Sequence, residues 1–285
     1  MEQSYLYDGS FAGFLSCVFA AYEEKKTPAA ICGSGESLPF LFEYRYIATD
    51  ENKARRVYGA LKKCSPRGAR LVSRGFLCAL EEKELLLLQL IRRLLAEGPS
   101  LLRDMADPDL FPVLQAVRHL ERECEALRGF VRFSEISGVL AGEIEPKNRV
   151  LPILRHHFCT RFPDERIFLY DRTHKEALVY ADGQHRFVPL DQFSMAAPDN
   201  REAEFRLLWK QFYDTIAIKE RYNPRCRQTH MPKRYWGTMT EFQPESYFTA
   251  APAADAASKA PAFPDGTPAP GIPPAPGPSG PGSDL

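Results

Sequence analysis

Apolar residues in the first half of the chain recur at the spacing of one helical face. Between Phe11 and Tyr22 they fall three and four positions apart, and Asp8 and Ser10 precede them as candidate caps. Thr49 or Asp50 is a candidate cap for a second helix, which a Ser-Pro-Arg-Gly stretch stops after about residue 63. The same spacing predicts further helices over about 69–79, 81–97 and 108–128. The pattern therefore predicts a helical part over residues 1–128, with short strand-like segments before Asp8 and at 43–49.

Beyond residue 129 an alternating pattern replaces the helical one. Strand-like runs flank Ser137-Gly138 and Asp182-Gly183, two dipeptides that are typical of two-residue hairpin turns. A further strand at 166–170 and helical spacing over 148–162 complete a β-β-α-β-β-β order with an antiparallel sheet of about five strands. Helices followed by such a sheet predict an α+β fold rather than a doubly wound α/β fold.

A helix over about 200–221 is predicted to close the domain. Its apolar row is the most regular in the chain and consists of Phe205, Leu208, Trp209, Phe212, Tyr213 and Ile216. We expect one folded α+β domain over residues 1–248, with a helical part at 1–128 and a sheet-containing part at 129–248.

The composition changes sharply near residue 249. Residues 249–285 are dominated by Ala, Pro, Gly, Ser and Asp. Such a segment cannot bury enough apolar surface to offset its chain entropy, which predicts a disordered tail with polyproline II character. An inert tail is favoured over a Pro-rich docking arm.

Overall composition indicates the cellular compartment of the protein but says little about its function. The 285 residues include 37 basic and 37 acidic side chains, so the net charge is zero. Seven cysteines without tight spacing fit reduced thiols better than a disulfide framework. No apolar run approaches the roughly 20 residues of a membrane-spanning helix, and the N-terminus has no export signal. We therefore expect a cytoplasmic protein without membrane contact.

Net neutrality hides two basic clusters. The first lies between Glu51 and Arg74 and contains eight basic residues against one acid, and the second lies between Lys219 and Arg234 and contains six against Glu220. Aromatic residues are interleaved with the second cluster. Basic side chains neutralise phosphates and aromatic rings can stack on unpaired bases, so this mixture suits nucleic acid. The candidate contacts are Arg55, Arg56, Lys62, Lys63, Arg225, Arg227, Lys233, Arg234, Tyr235 and Trp236. The alternative is a solvated helix face with rings that pack onto the core.

Other chemistry has weaker support. His156 and His157 are neighbours on a predicted helix and point about 100° apart, and the cysteines show no zinc-site spacing, so we predict no metal and no cofactor. Asp171 and Asp182 precede His174 and His185 closely enough for acid–base work, but aspartates at turns more often bond to the backbone. The Gly33-Ser-Gly35 loop lacks the context of a dinucleotide site, and there is no phosphate-binding GxxxxGK[ST] motif.

Two sequence motifs, one near each end of the folded part, are more specific than the composition. They are Tyr7-Asp8-Gly9-Ser10-Phe11 and the stretch with Asn223-Pro224-Arg225, His230-Met231-Pro232 and Arg234-Tyr235-Trp236. With intervening motifs they cover residues 5–242, and this span resembles a bacterial family of DNA-metabolism (DNA-repair) proteins of unknown biochemical activity. Members are typically paired with a radical-SAM protein of DNA modification or repair, and in some bacteria are fused to a uracil-DNA glycosylase-like module. The resemblance implies a DNA-linked role and a radical-SAM partner, and supplies no catalytic residue.

The motif positions give a second set of candidate site residues. These are Tyr7, Asp8, Gly9, Asn223, Arg225, His230, Arg234 and Tyr235. One hypothesis is that the N-terminal turn meets the C-terminal segment in space, with Asp8 orienting Arg225 or His230.

Three functions are compatible with these features. The favoured one is an auxiliary nucleic-acid-handling partner of a radical-SAM enzyme that is not catalytic alone. A nuclease or base-processing enzyme with His230 as general acid or base is the second, although the sequence lacks a carboxylate cluster for two-metal hydrolysis. A protein-interaction scaffold whose basic faces dock an acidic partner, without DNA contact, is the third.

Overall fold

The computed structural model describes residues 3–34, 43–195, 198–216 and 218–248. The tail at 249–285, predicted to be disordered, and Gly35 of the Gly33-Ser-Gly35 loop lie outside these residues. The described chain divides into two compact units, the first from residues up to 73 and from 84–104, the second from 74–83 and from 105 onward. The expectation of one domain over 1–248 stays a prediction.

The first unit contains a three-stranded parallel sheet in the order β2-β1-β3. Its strands are β1 (Gln3–Tyr7), β2 (Ile31–Gly33) and β3 (Glu43–Tyr46), with Tyr5 of the central strand opposite Ile31 and Arg45. The sequence predicts only strand-like segments in an otherwise helical region. These strands are too short to show a clear alternation, and their pairing is set by distant parts of the chain.

The helices of this region are α1 (Phe11–Glu23), α2 (Glu51–Cys64), α3 (Pro66–Phe76) and α4 (Lys83–Glu97). Helices α1 and α2 begin where the predicted capping residues place them, whereas α3 begins at Pro66, inside the stretch that was expected only to end α2. The Ser10 hydroxyl accepts the Gly13 N–H at 2.9 Å and caps α1, and the Asp50 carboxylate accepts N–H groups at the start of α2. The apolar spacing therefore predicted these helices correctly, with ends that differ by a few residues.

The second unit is built on a five-stranded sheet in the order β4-β5-β6-β7-β8. The strands are β4 (Phe133–Ile136), β5 (Val139–Ile144), β6 (Arg166–Asp171), β7 (Glu176–Ala181) and β8 (Gln184–Pro189). Helix α5 (Leu110–Phe130) precedes them, and α6 (Leu151–Arg161) lies between β5 and β6. Ser137, Gly138, Asp182 and Gly183 all have φ between 50° and 76°, as a two-residue hairpin turn requires. The predicted α+β fold and both hairpins are confirmed.

The sheet is mixed rather than antiparallel. Strands β5 and β6 pair in parallel, with Leu140 opposite Ile167, whereas the other neighbouring strands are antiparallel. The reason is α6, since a helical crossover returns the chain to the end of the sheet from which it left.

The prediction for the closing helix needs correction. Helix α7 (Asn200–Ile216) is shorter than the predicted 200–221, and a new helix, α8 (Pro224–His230), follows a short 3-10 turn at Lys219–Arg221. Pro224 disfavours a helical conformation at Asn223, so the chain restarts there. The regular apolar row of α7 is largely exposed, and the buried face carries Glu202, Ala203 and Arg206 instead. Further 3-10 turns occupy Lys233–Thr238, Thr240–Phe242 and Glu245–Phe248.

Two further properties concern the cysteines and the apolar character of the helices. All seven cysteines lie within the described residues, and none of them forms a disulfide. Among the residues that the structure describes, no helix has both the length and the apolar character needed to cross a bilayer.

Candidate nucleic-acid interface

Four of the predicted contacts form one exposed face of α2, here called the α2 basic face: Arg55, Arg56, Lys62 and Lys63. The helix buries Ala54, Val57 and Leu61 on its opposite side. Arg55 and Lys62 are seven residues apart, as are Arg56 and Lys63, so each pair points in nearly the same direction. All four are exposed, and within the described residues none forms an ion pair with a carboxylate. The structure thus brings together four cations that the sequence only placed in one stretch.

Two of these cations lie over aromatic rings of the first unit. The Arg56 guanidinium lies 5.1 Å from the centre of the Phe19 ring, and the Lys62 ammonium lies 4.8 Å from that of Tyr58. Such contacts hold a cation in place and leave its charge uncompensated.

Helix α3 extends the basic character of the first unit. Ser65 separates the two helices, and its hydroxyl accepts the Gly68 N–H at 3.0 Å at the start of α3. Arg67 and Arg70 on α3 are exposed. Neither was singled out among the candidate contacts, although their three-residue spacing on one helix face was a usable signal.

The second candidate surface is the C-terminal basic segment, defined as Arg221–Arg234. Asn223 has a local structural role, because its side-chain oxygen accepts the Cys226 N–H at 3.0 Å and caps α8, with Pro224 in the first turn. Arg221, Arg225, His230 and Lys233 are exposed, and in the described chain none of them forms an ion pair. The side chain of Lys219 lies outside the description.

A stack of rings holds this segment together. The rings of Trp236 and Phe242 are stacked and nearly parallel, with centroids 4.3 Å apart and an interplanar angle of 13°. The Trp236 N–H donates to the Met231 carbonyl at 3.0 Å, and the Arg227 guanidinium lies 5.1 Å from the Trp236 centroid. Phe242 also contacts Tyr213 of α7, at 5.7 Å. Trp236 is therefore half-buried with one face already stacked, and Arg227 is partly buried against the rings.

Tyr235 and Arg234 differ from the expectation of a free stacking ring and a free cation. Tyr235 is buried against Phe130, with centroids 5.3 Å apart, and burial raises the pKa of its hydroxyl. The Arg234 guanidinium lies over the Tyr235 ring at 4.5 Å and 3.6 Å from the Glu123 carboxylate. Tyr235 is a core residue, since its ring packs inward, and it does not belong to the exposed surface.

Glu123, the carboxylate near Arg234, also accepts hydrogen bonds that stabilise the fold. The buried Glu123 carboxylate accepts the backbone N–H groups of Lys147 and Asn148 at 3.0 Å and the Asn148 side-chain amide at 2.7 Å. Part of the Arg234 charge is thus offset inside the fold. The uncompensated charge of the segment comes mainly from Arg221, Arg225 and Lys233.

The N-terminal motif serves the local fold of the first unit. The Asp8 carboxylate accepts the Ser10 N–H at 2.9 Å and the hydroxyls of Ser10 and Thr49 at 2.7 Å each. Burial pushes the pKa of Asp8 upward, but these hydrogen bonds outweigh it and hold the pKa below its ordinary value. Gly9 has a φ of 81°, and the buried Tyr7 hydroxyl donates to Glu84 at 3.0 Å. The hypothesis that Asp8 orients Arg225 or His230 stays a prediction.

The acid–base candidates are mainly turn residues. The Asp171 carboxylate accepts the N–H groups of Thr173 and His174 and lies 2.7 Å from the His174 imidazole Nδ1. His185 lies 2.6 Å from the Arg155 guanidinium, and burial, with help from Arg155, lowers its pKa. Within the described ranges, no three His, Cys, Asp or Glu side chains cluster in a way that could hold a metal ion.

Most of the second unit, together with part of the first, corresponds to a known sequence family. Residues 81–241, more than half of the chain, match a domain of unknown function, DUF4130. The chain belongs to the DUF4130 family. No curated protein matches it. The DUF4130 region contains the five-stranded sheet, α7 and the C-terminal basic segment, whereas the α2 basic face precedes it.

Proposed function

We propose that this chain is an auxiliary nucleic-acid-handling protein in DNA metabolism or repair. The α2 basic face is the observation that carries the proposal, because four exposed cations on one helix side have no carboxylate partner among the described residues. Arg221, Arg225 and Lys233 supply a second group of such cations in the C-terminal basic segment. Cations of this kind bind phosphates with release of counterions.

The geometry of α2 suits a phosphate backbone. Seven residues separate Arg55 from Lys62, which corresponds to roughly 10 Å along a helix axis. Because each strand of B-form DNA advances about 3.4 Å per phosphate, this face can contact more than one phosphate. We expect these cations to contact phosphates rather than base edges, so that binding depends little on base sequence.

The proposed partner is a radical-SAM enzyme, and this part of the proposal rests on the family resemblance of the end motifs. In this arrangement the chain holds the nucleic acid and the partner carries the chemistry. A nuclease or base-processing enzyme, and a scaffold without DNA contact, are the alternatives that the following experiment separates.

The test compares DNA affinity over a range of salt concentrations for the full chain and for charge-reversed variants. The variants are Arg56→Glu with Lys63→Glu, and Arg221→Glu with Arg225→Glu. Each should weaken binding several-fold, and should reduce the slope of log K against log salt by up to about 2, because two phosphate contacts are lost. Arg234 is left unchanged, since a carboxylate at that position would lie beside Glu123.

A matched control keeps the change in net charge the same. Arg166→Glu with Lys175→Glu reverses two exposed cations at the sheet of the second unit and should leave the salt slope unchanged. Equal binding by all variants would show that the basic surfaces do not contact nucleic acid. Cleavage or base release by the purified chain would instead support the enzyme, and absence of DNA binding even at low salt would support the scaffold.

A further inference from the structure

The outer face of α7 exposes a row of large apolar side chains, here called the α7 row. Phe205, Leu208, Phe212 and Ile216 are 54%, 58%, 55% and 57% exposed. They are separated by three, four and four residues, so they lie on one side of the helix. Trp209 borders the row and is 38% exposed.

The opposite side of α7 is firmly attached to its own unit. Buried Arg206 donates to Glu202 and to the Ser134 hydroxyl, each at 2.8 Å, and its guanidinium lies 4.1 Å from the Tyr247 ring centre. The Trp209 N–H donates to Glu241 at 3.0 Å. Because these polar contacts attach one side of α7 to the second unit, the apolar row lies on the side that faces solvent.

The size of the row points to a specific contact. Aromatic side chains each cover about 150–250 Å² and Leu and Ile somewhat less, so half-exposure of the row and Trp209 leaves on the order of 500 Å² of apolar surface. An apolar patch of several hundred Å² on a soluble protein commonly marks an interaction site. It also approaches the roughly 800 Å² that each partner contributes to a stable interface, and Ile218 and Tyr222, which follow α7 in the sequence, are exposed as well.

The row is complementary to itself in an antiparallel arrangement. If two copies of α7 pair around a two-fold axis near Leu208, Phe205 of each copy packs beside Phe212 of the other, and the contact is closed. Opposed helix dipoles also favour antiparallel pairing.

The charges at the two ends agree with the same direction. Asp199 and Glu204 are exposed at the beginning of α7, whereas Arg221 and Arg225 follow its end. Arg201, the cation at the acidic end, lies 4.0 Å from Glu135 of its own chain. An antiparallel pair brings the acidic beginning of one helix toward the basic residues of the other, and a parallel pair would bring like charges together.

We propose that the α7 row is the interface of a homodimer, formed by antiparallel packing of α7 against α7 of a second copy. This inference goes beyond the nucleic-acid proposal, although Arg221 and Arg225 take part in both, and it should hold for the chain without DNA.

Sedimentation velocity of the full chain, without nucleic acid and over a wide range of protein concentrations, tests the interface. The parent should form dimers, and the double variant Leu208→Asp with Phe212→Asp should remain monomeric, with far-ultraviolet circular dichroism confirming that it is folded. Leu207→Asp is the matched control, because Leu207 is also an exposed leucine of α7, at 47%, but is turned about 100° from Leu208. This variant should dimerise like the parent.

Cross-linking tests whether the α7 row lies at the interface. In a Cys226→Ser background, which removes the exposed thiol, Leu208→Cys should give covalent dimers with a short bifunctional maleimide and Leu207→Cys should not. A parent chain that stays monomeric at all concentrations would overturn the proposal, as would dimers that persist in the Leu208→Asp, Phe212→Asp variant. Dimers that appear only after deletion of 249–285 would assign the row to the chain's own tail and would also overturn it.

Discussion

The guanidinium of Arg132 and the carboxylate of Glu241 form a bidentate ion pair inside the second unit. The two hydrogen bonds measure 2.8 and 3.2 Å, and Glu241 also accepts the Trp209 N–H at 3.0 Å. The Glu241 side chain is 1% exposed. This pair joins the chain before β4 to the 3-10 turn at Thr240–Phe242 and to α7, which fixes the helix that carries the α7 row.

Removal of one partner of this pair should destabilise the fold strongly. Glu241→Ala leaves the Arg132 charge and the Trp209 N–H without their acceptor, and the expected loss is about 3–5 kcal/mol of unfolding free energy. Urea denaturation measures it. The double variant Arg132→Leu, Glu241→Leu should lose less unfolding free energy than the sum of the losses for Arg132→Leu alone and Glu241→Leu alone. The reason is that no uncompensated charge remains in the double variant. Additive effects would show that the two groups are not coupled.

The same carboxylate should make stability depend on pH in the acid range. Burial alone raises the pKa of Glu241, but hydrogen bonds from Arg132 and Trp209 outweigh it and hold the pKa below its ordinary value. A lowered folded pKa gives a stabilising contribution that is fully present above the unfolded value, about pH 4.3, and is lost as the pH falls through the folded pKa. The free energy of unfolding should therefore fall less steeply toward acid in Glu241→Gln than in the parent. Parallel curves would contradict this assignment.

Two glycines on helices should respond in opposite ways to the same substitution. A Cβ at Gly13 would lie 2.2 Å from the Asp8 carboxylate and 2.8 Å from the Thr49 hydroxyl, so Gly13→Ala should destabilise the fold and disrupt the N-terminal turn. A Cβ at Gly59 on α2 meets nothing within 4 Å. Gly59→Ala should therefore raise the unfolding free energy by about 0.5–1 kcal/mol, the usual difference in helix propensity. Thermal denaturation of both variants provides the comparison.

Cysteine labelling should distinguish the buried thiols from the exposed one. Burial is the main cause that raises the pKa values of Cys17, Cys78 and Cys124 to about 12, whereas Cys226 on α8 is exposed. Because the thiolate is the reacting form, iodoacetamide at neutral pH should modify Cys226 first and reach the other three only after unfolding. Peptide mass spectrometry locates the label, and Cys226→Ser should remove the fastest phase. Early labelling of Cys17 would mean that α1 opens readily.

The sequence predicted those parts of the fold that depend on local chemistry. Ser137-Gly138 and Asp182-Gly183 adopt the positive φ values that their turn type requires, and Ser10 and Asp50 cap the helices as expected. The parallel pairing of β5 with β6 is not a local property, and it follows only once α6 is seen to connect them. In the other sheet, β1 and β3 coincide with the strand-like segments predicted before Asp8 and at 43–49, but β2 and the parallel pairing of the three strands were not predicted.

The candidate site was less predictable from the sequence. Apolar periodicity shows which residues share a helix face, but it does not show whether another part of the protein buries that face. The regular spacing in α7 identified one helix face without showing whether it is buried; in the structure Arg206 and Glu202 occupy the buried side and Phe212 is exposed. Tyr235 stood among basic residues in the sequence but packs on Phe130. On α2, by contrast, the apolar positions 54, 57 and 61 fixed the inner side, and the basic residues were thereby directed outward.

The placement of the indole rings has a practical consequence for work in solution. The only two tryptophans of the chain, Trp209 and Trp236, both belong to the second unit. Intrinsic emission therefore reports on this unit, with one fluorophore at the margin of the α7 row and the other in the ring stack beside α8. The first unit contains no tryptophan, so a separate optical label is needed to follow its structure directly.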